Sequence, residues 1–354
     1  MTRLLIGVLY NKRDLKNILK DKSHEQANFY IKAAQKYNVD VCFFCFNSIN
    51  FNKRTVLAYF RENYQWHSKR ISLPHIIHNR VIYSTKVYDS FKKLSDSGIT
   101  IYNFWNNYGK FKIHKTININ PSLRKYLPPT RLFSKNNLSQ FLNYSSFFIK
   151  PNRGSVGVGI IKVTSFGANK WKVMQQQKGT KTINIINTNK LYAYLKDIIG
   201  SKPYILQKTI PLRTYYNRPF DIRVSTQKNS LGRWQVTGMV GKVAAKNLYL
   251  SNVYQGASVA TIQQLFATDS INPNQIHSML TTAALNIVKH LELHLPNLSD
   301  VGFDFGIAKN GKPYFIEMNF RDQRYSFALA DMHSAFYATY DNPIGYGKFL
   351  GSSK

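Results

Sequence analysis

Apolar positions fall into short runs separated by polar stretches, and the first two runs set the pattern. RLLIGVLY (3–10) and VDVCFFCF (39–46) are of strand length, and a polar-apolar stretch of helical length, 23–37, lies between them. Strand, helix, strand is the simplest reading, and it brings a parallel pair with it. PHIIHNRVIY (74–83) supplies a third strand. A small α/β domain with a parallel sheet is therefore expected at the front of the chain. The polar segment 104–130, with Pro121, Pro128 and Pro129, reads as its boundary.

Behind that boundary the pattern changes to paired strands. SSFFIKPNRGSVGVGIIKV (145–163) reads as strand, Gly-rich turn, strand, and KPYILQKTI (202–210) as another strand. DIRVSTQKNSLGRWQVTGMVGKVA (221–244) reads as an antiparallel hairpin turning at Asn229 to Gly232. A helix is expected over 274–292, followed by two strands, GFDFGIAK and KPYFIEMNF, joined at Asn310-Gly311. The fold class is thus α/β followed by α+β, with no internal repeat.

Charge narrows the picture less than its size suggests. The 354 residues carry a formal charge of +32. It is spread out, with 25 basic against 7 acidic residues in 1–150 and 24 against 10 afterwards. A field of that strength draws in polyanions such as nucleic acid, an anionic glycopolymer, an acidic peptide or a membrane surface. A lysine- and asparagine-rich compositional habit accounts for it equally well. Only Cys42 and Cys45 are present, inside an apolar run that reads as a buried strand. A reactive pair sits instead where its thiolate is stabilised, and two cysteines cannot staple a secreted chain of this length. No apolar run reaches the ~20 residues needed to cross a bilayer, and the apolar run in MTRLLIGVLYNKRD is too short for a signal peptide. The expectation is a soluble, cytoplasmic protein.

Against this acid-poor background, GFDFGIAKNGKPYFIEMNF (302–320) stands out. Antiparallel pairing brings Asp304 near Glu317, and Asn319, two positions on, shares a face with Glu317. Three oxygen donors converging in this way suit Mg²⁺. Pairing of both carboxylates with lysines or arginines on a solvated face is the alternative. Lys150 ends a strand just before the turn that holds Gly154, Gly157 and Gly159. Glycines let backbone N–H groups approach phosphate oxygens, and lysine adds a mobile charge. An ordinary hairpin turn is the alternative. Neither the Walker A spacing nor the dinucleotide fingerprint is present. Arg223 shares a face with Asp221, and Lys242 and Asn252 follow on later elements; an arginine fork suits a phosphate, while a plain Asp221–Arg223 salt bridge is the other reading.

The order of these features resembles the ATP-grasp superfamily, and within it the YheC/YheD family of spore-coat-associated ATP-grasp proteins. NRPFDIRVSTQKNSLGRWQVTGMVGKVA, SNVYQGASV and GFDFGIAKNGKPYFIEMNF carry the closer match, with FIKPNRGSVGVGIIKV and LRKYLPPTRLF. The resemblance implies an ATP-grasp fold behind an N-terminal α/β domain: 1–110 for that domain, 111–205 for a lobe with the phosphate loop, and 206–345 for a lobe with the metal site. It implies ATP and Mg²⁺ as cofactors. Lys115 and Lys150 would contact the phosphates and the adenine edge. The loop with Gly154, Ser155, Val156, Gly157 and Gly159 would close over the phosphates, and Gln207, Lys208 and Ile210 would line the adenine. Arg223, with Lys242 and Asn252 nearby, would steady the transferred phosphoryl group, and Asp304, Glu317 and Asn319 would hold the metal.

The implied reaction is ligation, in which a carboxylate becomes an acyl phosphate and an amine or similar nucleophile displaces phosphate. Its partners would be ATP, a carboxylate donor and an amine acceptor, anionic or peptide-like in character. A nucleotide-binding coat or assembly protein with reduced turnover is the second reading, and a nucleic-acid-binding protein the third and least favoured. Three departures from the family pattern bear on the substrate side: Gln207 and Lys208 stand where many relatives have an acidic residue, Lys242 where arginine is frequent, and FRDQR follows Asn319 without the usual proline.

Overall fold

The computed structural model describes residues 3–352 except 84, 155, 156, 178, 179, 252, 254, 255, 268 and 270. Its first unit is a seven-stranded sheet in the order β3-β4-β2-β1-β6-β7, with β5 paired to β4. The strands are β1 (Leu5–Tyr10), β2 (Asp40–Cys45), β3 (Ile49–Asn50), β4 (Thr55–Glu62), β5 (Gln65–Ser72), β6 (Ile76–Asn79) and β7 (Thr100–Tyr102). β1 pairs in parallel with β2 and β6, as the apolar runs imply. Helices α1 (Lys12–Ile18), α2 (Ala27–Lys36) and α3 (Tyr88–Asp96) cross between them. α1 begins where the Asn11 side chain accepts from the Asp14 amide, filling one orphan donor of the first turn. Cys42 is wholly buried in β2, and burial pushes its thiol up to about 12, which makes it inert at neutral pH.

The second sheet, in the order β12-β11-β10-β9-β13-β8, is six-stranded. It comprises β8 (Thr130–Leu132), β9 (Ser146–Pro151), β10 (Ile161–Ser165), β11 (Lys170–Gln177), β12 (Thr180–Asn187) and β13 (Tyr204–Lys208). Before it comes α4 (Lys110–Ile119), and α5 (Lys135–Phe141) and α6 (Thr188–Ile199) pack on it. Ile113 and Ile117 of α4 are buried in the core of the third sheet.

The third sheet runs β17-β16-β15-β18-β19, with β14 paired to β15. Its strands are β14 (Thr214–Tyr215), β15 (Arg218–Lys228), β16 (Trp234–Val243), β17 (Ser258–Ala260), β18 (Asp300–Ile307) and β19 (Pro313–Asn319). One face packs on α7 (Ile262–Phe266) and α8 (Pro273–Glu292) through Phe220, Ile222, Val224, Phe303 and Phe305. α8 matches the expected helix, with Asn272 capping its start and proline in its first turn.

The chain ends with α9 (Tyr325–Leu329) and α10 (His333–Ser352). α10 returns to the first unit and packs on α2, with Tyr340 and Tyr30 ring centroids 5.0 Å apart. Close approach explains two of its glycines: a Cβ at Gly345 would lie 2.8 Å from the Tyr37 ring, and one at Gly347 would lie 2.7 Å from Ile6. No helix among the described residues is long and apolar enough to cross a membrane.

Candidate nucleotide site

Strand alternation sends the odd-numbered positions of β15 away from α8, toward the second sheet. There the register sets opposite charges side by side. Asp221 is opposite Lys242, Arg223 is opposite Asp304, and Asp304 is opposite Glu317 on its other flank. The row therefore crosses four strands: Lys242–Asp221 and Arg223–Asp304 are favourable opposite-charge neighbours, whereas Asp304 and Glu317 set like charges opposite one another, which is unfavourable unless a cation offsets them.

The contacts are close. Arg223 Nε donates to Asp304 Oδ1 at 2.7 Å and Nη2 to Oδ2 at 3.2 Å, a two-pronged grip. Lys242 Nζ lies 2.8 Å from Asp221 and 3.0 Å from Asp304. Asn319 Nδ2 donates to Asp304 Oδ2 at 3.1 Å. Asp221 also accepts from the Ser251 hydroxyl. Its partner is therefore Lys242, not the Arg223 that the sequence alone offered.

Burial and charge pull the carboxylates apart. Burial would raise Asp304, but Arg223 and Lys242 outweigh it and hold the group far below the usual carboxylate range. Asp221 is pushed up to about 6, because burial and the charge of Asp304 exceed what Lys242 returns. Burial also lowers Lys150, to about 8.

Lys150 lies on β9 opposite Ile205 of β13. Its ammonium donates to Gln207 Oε1 at 2.6 Å, and Gln207 Nε2 donates to Thr130 Oγ1 at 3.2 Å. A cavity of about 160 Å³ separates this group from the charged row. Phe148 and Ile160 wall it from the second sheet, and Tyr314 and Ile316 from the third. Lys150, Gly157, Gln207, Lys208, Ile210, Lys242, Asp304 and Glu317, all expected at the site, reach it. The Lys208 ammonium, however, lies over the Tyr144 ring, 4.6 Å from its centre.

A second cavity of about 140 Å³ adjoins the first and shares Gln207, Ile316 and Glu317 with it. Gly154 and Asn319 line this one. The three loop glycines all take positive φ, at 140°, 73° and 76° for Gly154, Gly157 and Gly159, so the turn needs them. Gly159 lines neither cavity, and a Cβ there would stand 2.9 Å from the Tyr204 hydroxyl. Ser155, Val156 and Asn252 lie outside the described residues.

Two expectations are corrected. Lys115 is exposed and lines neither cavity, because helical spacing gives the inner face of α4 to Lys110, Ile113 and His114. Lys110 lines the second cavity instead, donating to the Gly154 carbonyl at 2.8 Å and lying 3.5 Å from Glu317. Arg223, expected to touch phosphate, lines neither cavity either. Its guanidinium is spent on Asp304 and, through Nη1 at 2.9 Å, on Asp322.

Asp322 was not foreseen. It is wholly buried and also accepts from the Ser225 hydroxyl. Gly302 makes room for it, since a Cβ there would lie 2.4 Å from Asp322 Oδ1. The neighbouring residues tie the site to the first unit. Arg80 donates to Glu25 at 2.6 Å and to the Asp322 carbonyl at 2.9 Å. Arg324 donates to Asp300 at 2.6 Å and to Tyr30 at 2.7 Å.

A magnesium ion can be tested against these residues. Among the described residues no group of three His, Cys, Asp or Glu could hold a metal. Glu317 lines both adjoining cavities, Asp304 the first and Asn319 the second, and their oxygens are the hard set that Mg²⁺ takes alongside water and phosphate. Asp304 already accepts Arg223 twice, Lys242 and Asn319, filling the roughly four lone-pair positions of a carboxylate. The donor types fit, and an ion reaching Asp304 must displace Lys242 or the Asn319 amide.

The family model described as YheC/D like ATP-grasp matches residues 98–350. The endospore coat-associated protein YheD of Bacillus subtilis is 27% identical over 347 residues, spanning 92% of this chain and 72% of its own length. Endospore coat-associated protein YheC of the same organism is 21% identical, over 76% of each. Among solved structures, D-alanyl-alanine synthetase A from Vibrio cholerae superposes with a TM-score of 0.56 at 12% identity, covering 99% of both chains. The VanG D-Ala:D-Ser ligase from Enterococcus faecalis gives 0.57 at 13% identity, covering 98% of this chain and 100% of its own. At such identities the likeness is one of fold.

Proposed function

The chain belongs to the YheC/D-like ATP-grasp family, and on that premise we propose that it is an ATP- and Mg²⁺-dependent ligase activating a carboxylate as an acyl phosphate for an amine or similar nucleophile. The observation that carries this reading is the cross-strand row Lys242–Asp221 and Arg223–Asp304–Glu317, facing Lys150 across an apolar-walled cavity. Buried charges are costly to hold and seldom kept for stability alone. In this reading 1–110 is the N-terminal domain, 111–205 the phosphate-loop lobe and 206–345 the metal lobe.

Phe148, Ile160, Tyr314 and Ile316 offer the faces for adenine, beside Gln207, Lys208 and Ile210. Lys150, Lys110 and Lys242 offset phosphate charge, and the loop around Gly154 and Gly157 brings backbone N–H groups to the phosphates. Arg223 acts as a positioning residue, fixing Asp304 against Asp322. Asp304, Glu317 and Asn319 would hold Mg²⁺, which would supply positive charge to offset the phosphates. The substrate carboxylate forms a bond to the γ-phosphorus as the bond to the ADP oxygen breaks; the amine then bonds to the acyl carbon, inorganic phosphate leaves and the amine gives up a proton. Positioning and charge supply most of the acceleration, so no side-chain nucleophile is needed.

A second reading, a cytoplasmic nucleotide-binding protein that joins a spore coat with little turnover, draws support from the saturation of Asp304 by its own neighbours. One experiment separates the two. Thermal unfolding is measured with and without MgATP on the natural protein, Asp304→Asn and Glu317→Gln. A ligand at a hundred times its Kd stabilises by about 2.7 kcal/mol. Stabilisation that needs both carboxylates, followed by ADP release with an acid and an amine, supports the ligase. Binding without ADP release across a broad screen favours the assembly protein, and no shift at all removes both.

A further inference from the structure

The largest cavity described here is remote from the nucleotide cleft. It measures about 940 Å³ and opens in the first unit, between α1 and the face of the β4–β5 hairpin. Leu57 on β4 is opposite Arg70 on β5, so hairpin alternation turns Leu57, Tyr59 and Arg70 to the groove. From the other wall, α1 and the turn after it present Lys12, Lys16 and Lys20.

Its chemistry is one-sided. Lys12, Lys16, Lys20 and Arg70 are exposed, and no Asp or Glu lines the groove. Among the described residues none of these four side chains has an ion-pair or hydrogen-bond partner. Nearby Asp21 is engaged elsewhere, by Arg61 at 3.0 Å. Between the cations lies an apolar floor of half-buried Leu19, Ile49, Leu57 and Tyr59. Four cations left without counter-charges around apolar surface call for a ligand that is both anionic and apolar.

Spacing selects the form of that ligand. Lys12 and Lys16 are four residues apart on a helix, a rise of ~6 Å. Alternate side chains of an extended peptide repeat every ~6.6 Å on one face. We propose that this groove binds an extended peptide segment in which Asp or Glu alternates with apolar residues, the carboxylates meeting Lys12, Lys16, Lys20 and Arg70 and the apolar side chains resting on the Leu57–Tyr59 floor. Tyr59 and the exposed Phe51 offer two aromatic faces, but Leu15, Leu19, Ile49 and Leu57 make up more of the apolar lining, which favours aliphatic side chains over stacked bases, and the oligonucleotide below tests that choice.

The test uses the full chain and fluorescently labelled short peptides, read by anisotropy. The probes are an alternating Asp-Leu peptide, an all-Asp peptide, an alternating Lys-Leu peptide and a single-stranded oligonucleotide of matched charge. The Asp-Leu peptide is expected to bind best, and Lys16→Glu with Arg70→Glu to weaken it by about tenfold or more. The same variant should keep its melting midpoint and its response to MgATP, because none of these residues touches the cleft. The milder pair Lys12→Gln and Lys16→Gln covers the case in which charge reversal disturbs α1. Equal binding of the all-Asp peptide or the oligonucleotide, or unchanged affinity in the folded variants, would overturn the proposal.

Discussion

Asp304 and Glu317 face one another because Ile316 is squeezed out of the ladder between them. Phe305 pairs with Phe315, yet Asp304 pairs with Glu317, so one residue of β19 has no partner. In unbroken register Asp304 would meet Ile316, and both Glu317 and Asn319 would turn into the core. The bulge turns Ile316, Glu317 and Asn319 to the cavities together.

The two carboxylates differ in burial, and their substitutions should differ accordingly. Asp304 is 3% exposed and compensates Arg223 and Lys242. Asp304→Asn should cost about 3 kcal/mol by leaving buried cations uncompensated. Glu317 is partly exposed, and Glu317→Gln should change stability by less than about 0.5 kcal/mol. Denaturant unfolding measures both, and equal losses would contradict the assignment of Asp304 as the structural anchor of the pair.

Gly302 offers a sharper probe of the Arg223–Asp322 pair. A Cβ at this position would stand 2.4 Å from Asp322 Oδ1 and 2.9 Å from Arg223 Cδ. Asp322 cannot swing aside cheaply, since Arg223 and Ser225 both hold it. Gly302→Ala should therefore cost about 1–3 kcal/mol and blunt the MgATP-dependent rise in melting midpoint. A variant as stable as the natural protein would show that the network yields easily.

What the sequence revealed followed local signals. The hairpin turning at Asn229 to Gly232, helix α8 and the parallel β1–β2 pair rest on turn residues and periodicity, and each stands where expected. α10 was missed because Pro343 and glycines at 345, 347 and 351 argue against a helix. Packing on α2 overrides them, and the glycines are places of close approach. The β4–β5 hairpin was missed because β5, QWHSKRIS, is mostly exposed and polar and offers no apolar run.

At the site, residue types were legible and partners were not. Asp304, Glu317 and Asn319 could be placed on one cleft, but the bulge at Ile316 that puts them there leaves no signature in a single sequence. FRDQR was noticed only for lacking a proline. In the structure its Arg321, Asp322 and Arg324 join the third sheet to the first unit, Arg321 through Asp14 and Glu25. Lys110 lost out to Lys115 because the start of α4 was not known, and one turn of helix decides which lysine faces inward.

Lys150 should make nucleotide binding depend on pH. Burial lowers its folded pKa to about 8, below the usual lysine value of 10.5. Between these values the unfolded chain keeps a proton that the folded chain has released, so this group's contribution to stability rises with pH. Phosphate binding runs the other way, because it uses the charged form. The Kd for MgATP should therefore climb above pH 8, approaching tenfold per unit. Lys150→Arg should flatten the profile, since guanidinium stays charged. A flat profile in the natural protein would remove Lys150 from the phosphate site.

His78 sets a separate pH limit, on folding. It is wholly buried, stacked on Tyr102 with ring centroids 4.7 Å apart, and its Nε2 lies 3.4 Å from Asp300. Burial lowers it to about 4 from 6.5, against the pull of Asp300 and with the help of Arg324 and Arg80. Across that window the unfolded chain takes up a proton that the folded chain refuses. Stability should consequently fall as the pH drops from 6.5 to 4, by about 3 kcal/mol for this residue, and level off below. His114, also lowered by burial, adds to the slope in the same direction, while Asp221, raised to about 6, binds its proton first in the folded chain and opposes it below that pH. The comparison is therefore a difference between two unfolding curves, one for the natural protein and one for His78→Gln. The variant should lose the part of the acid slope that His78 supplies while retaining the contributions of His114 and Asp221, and parallel curves would mean that His78 takes up its proton in the folded state.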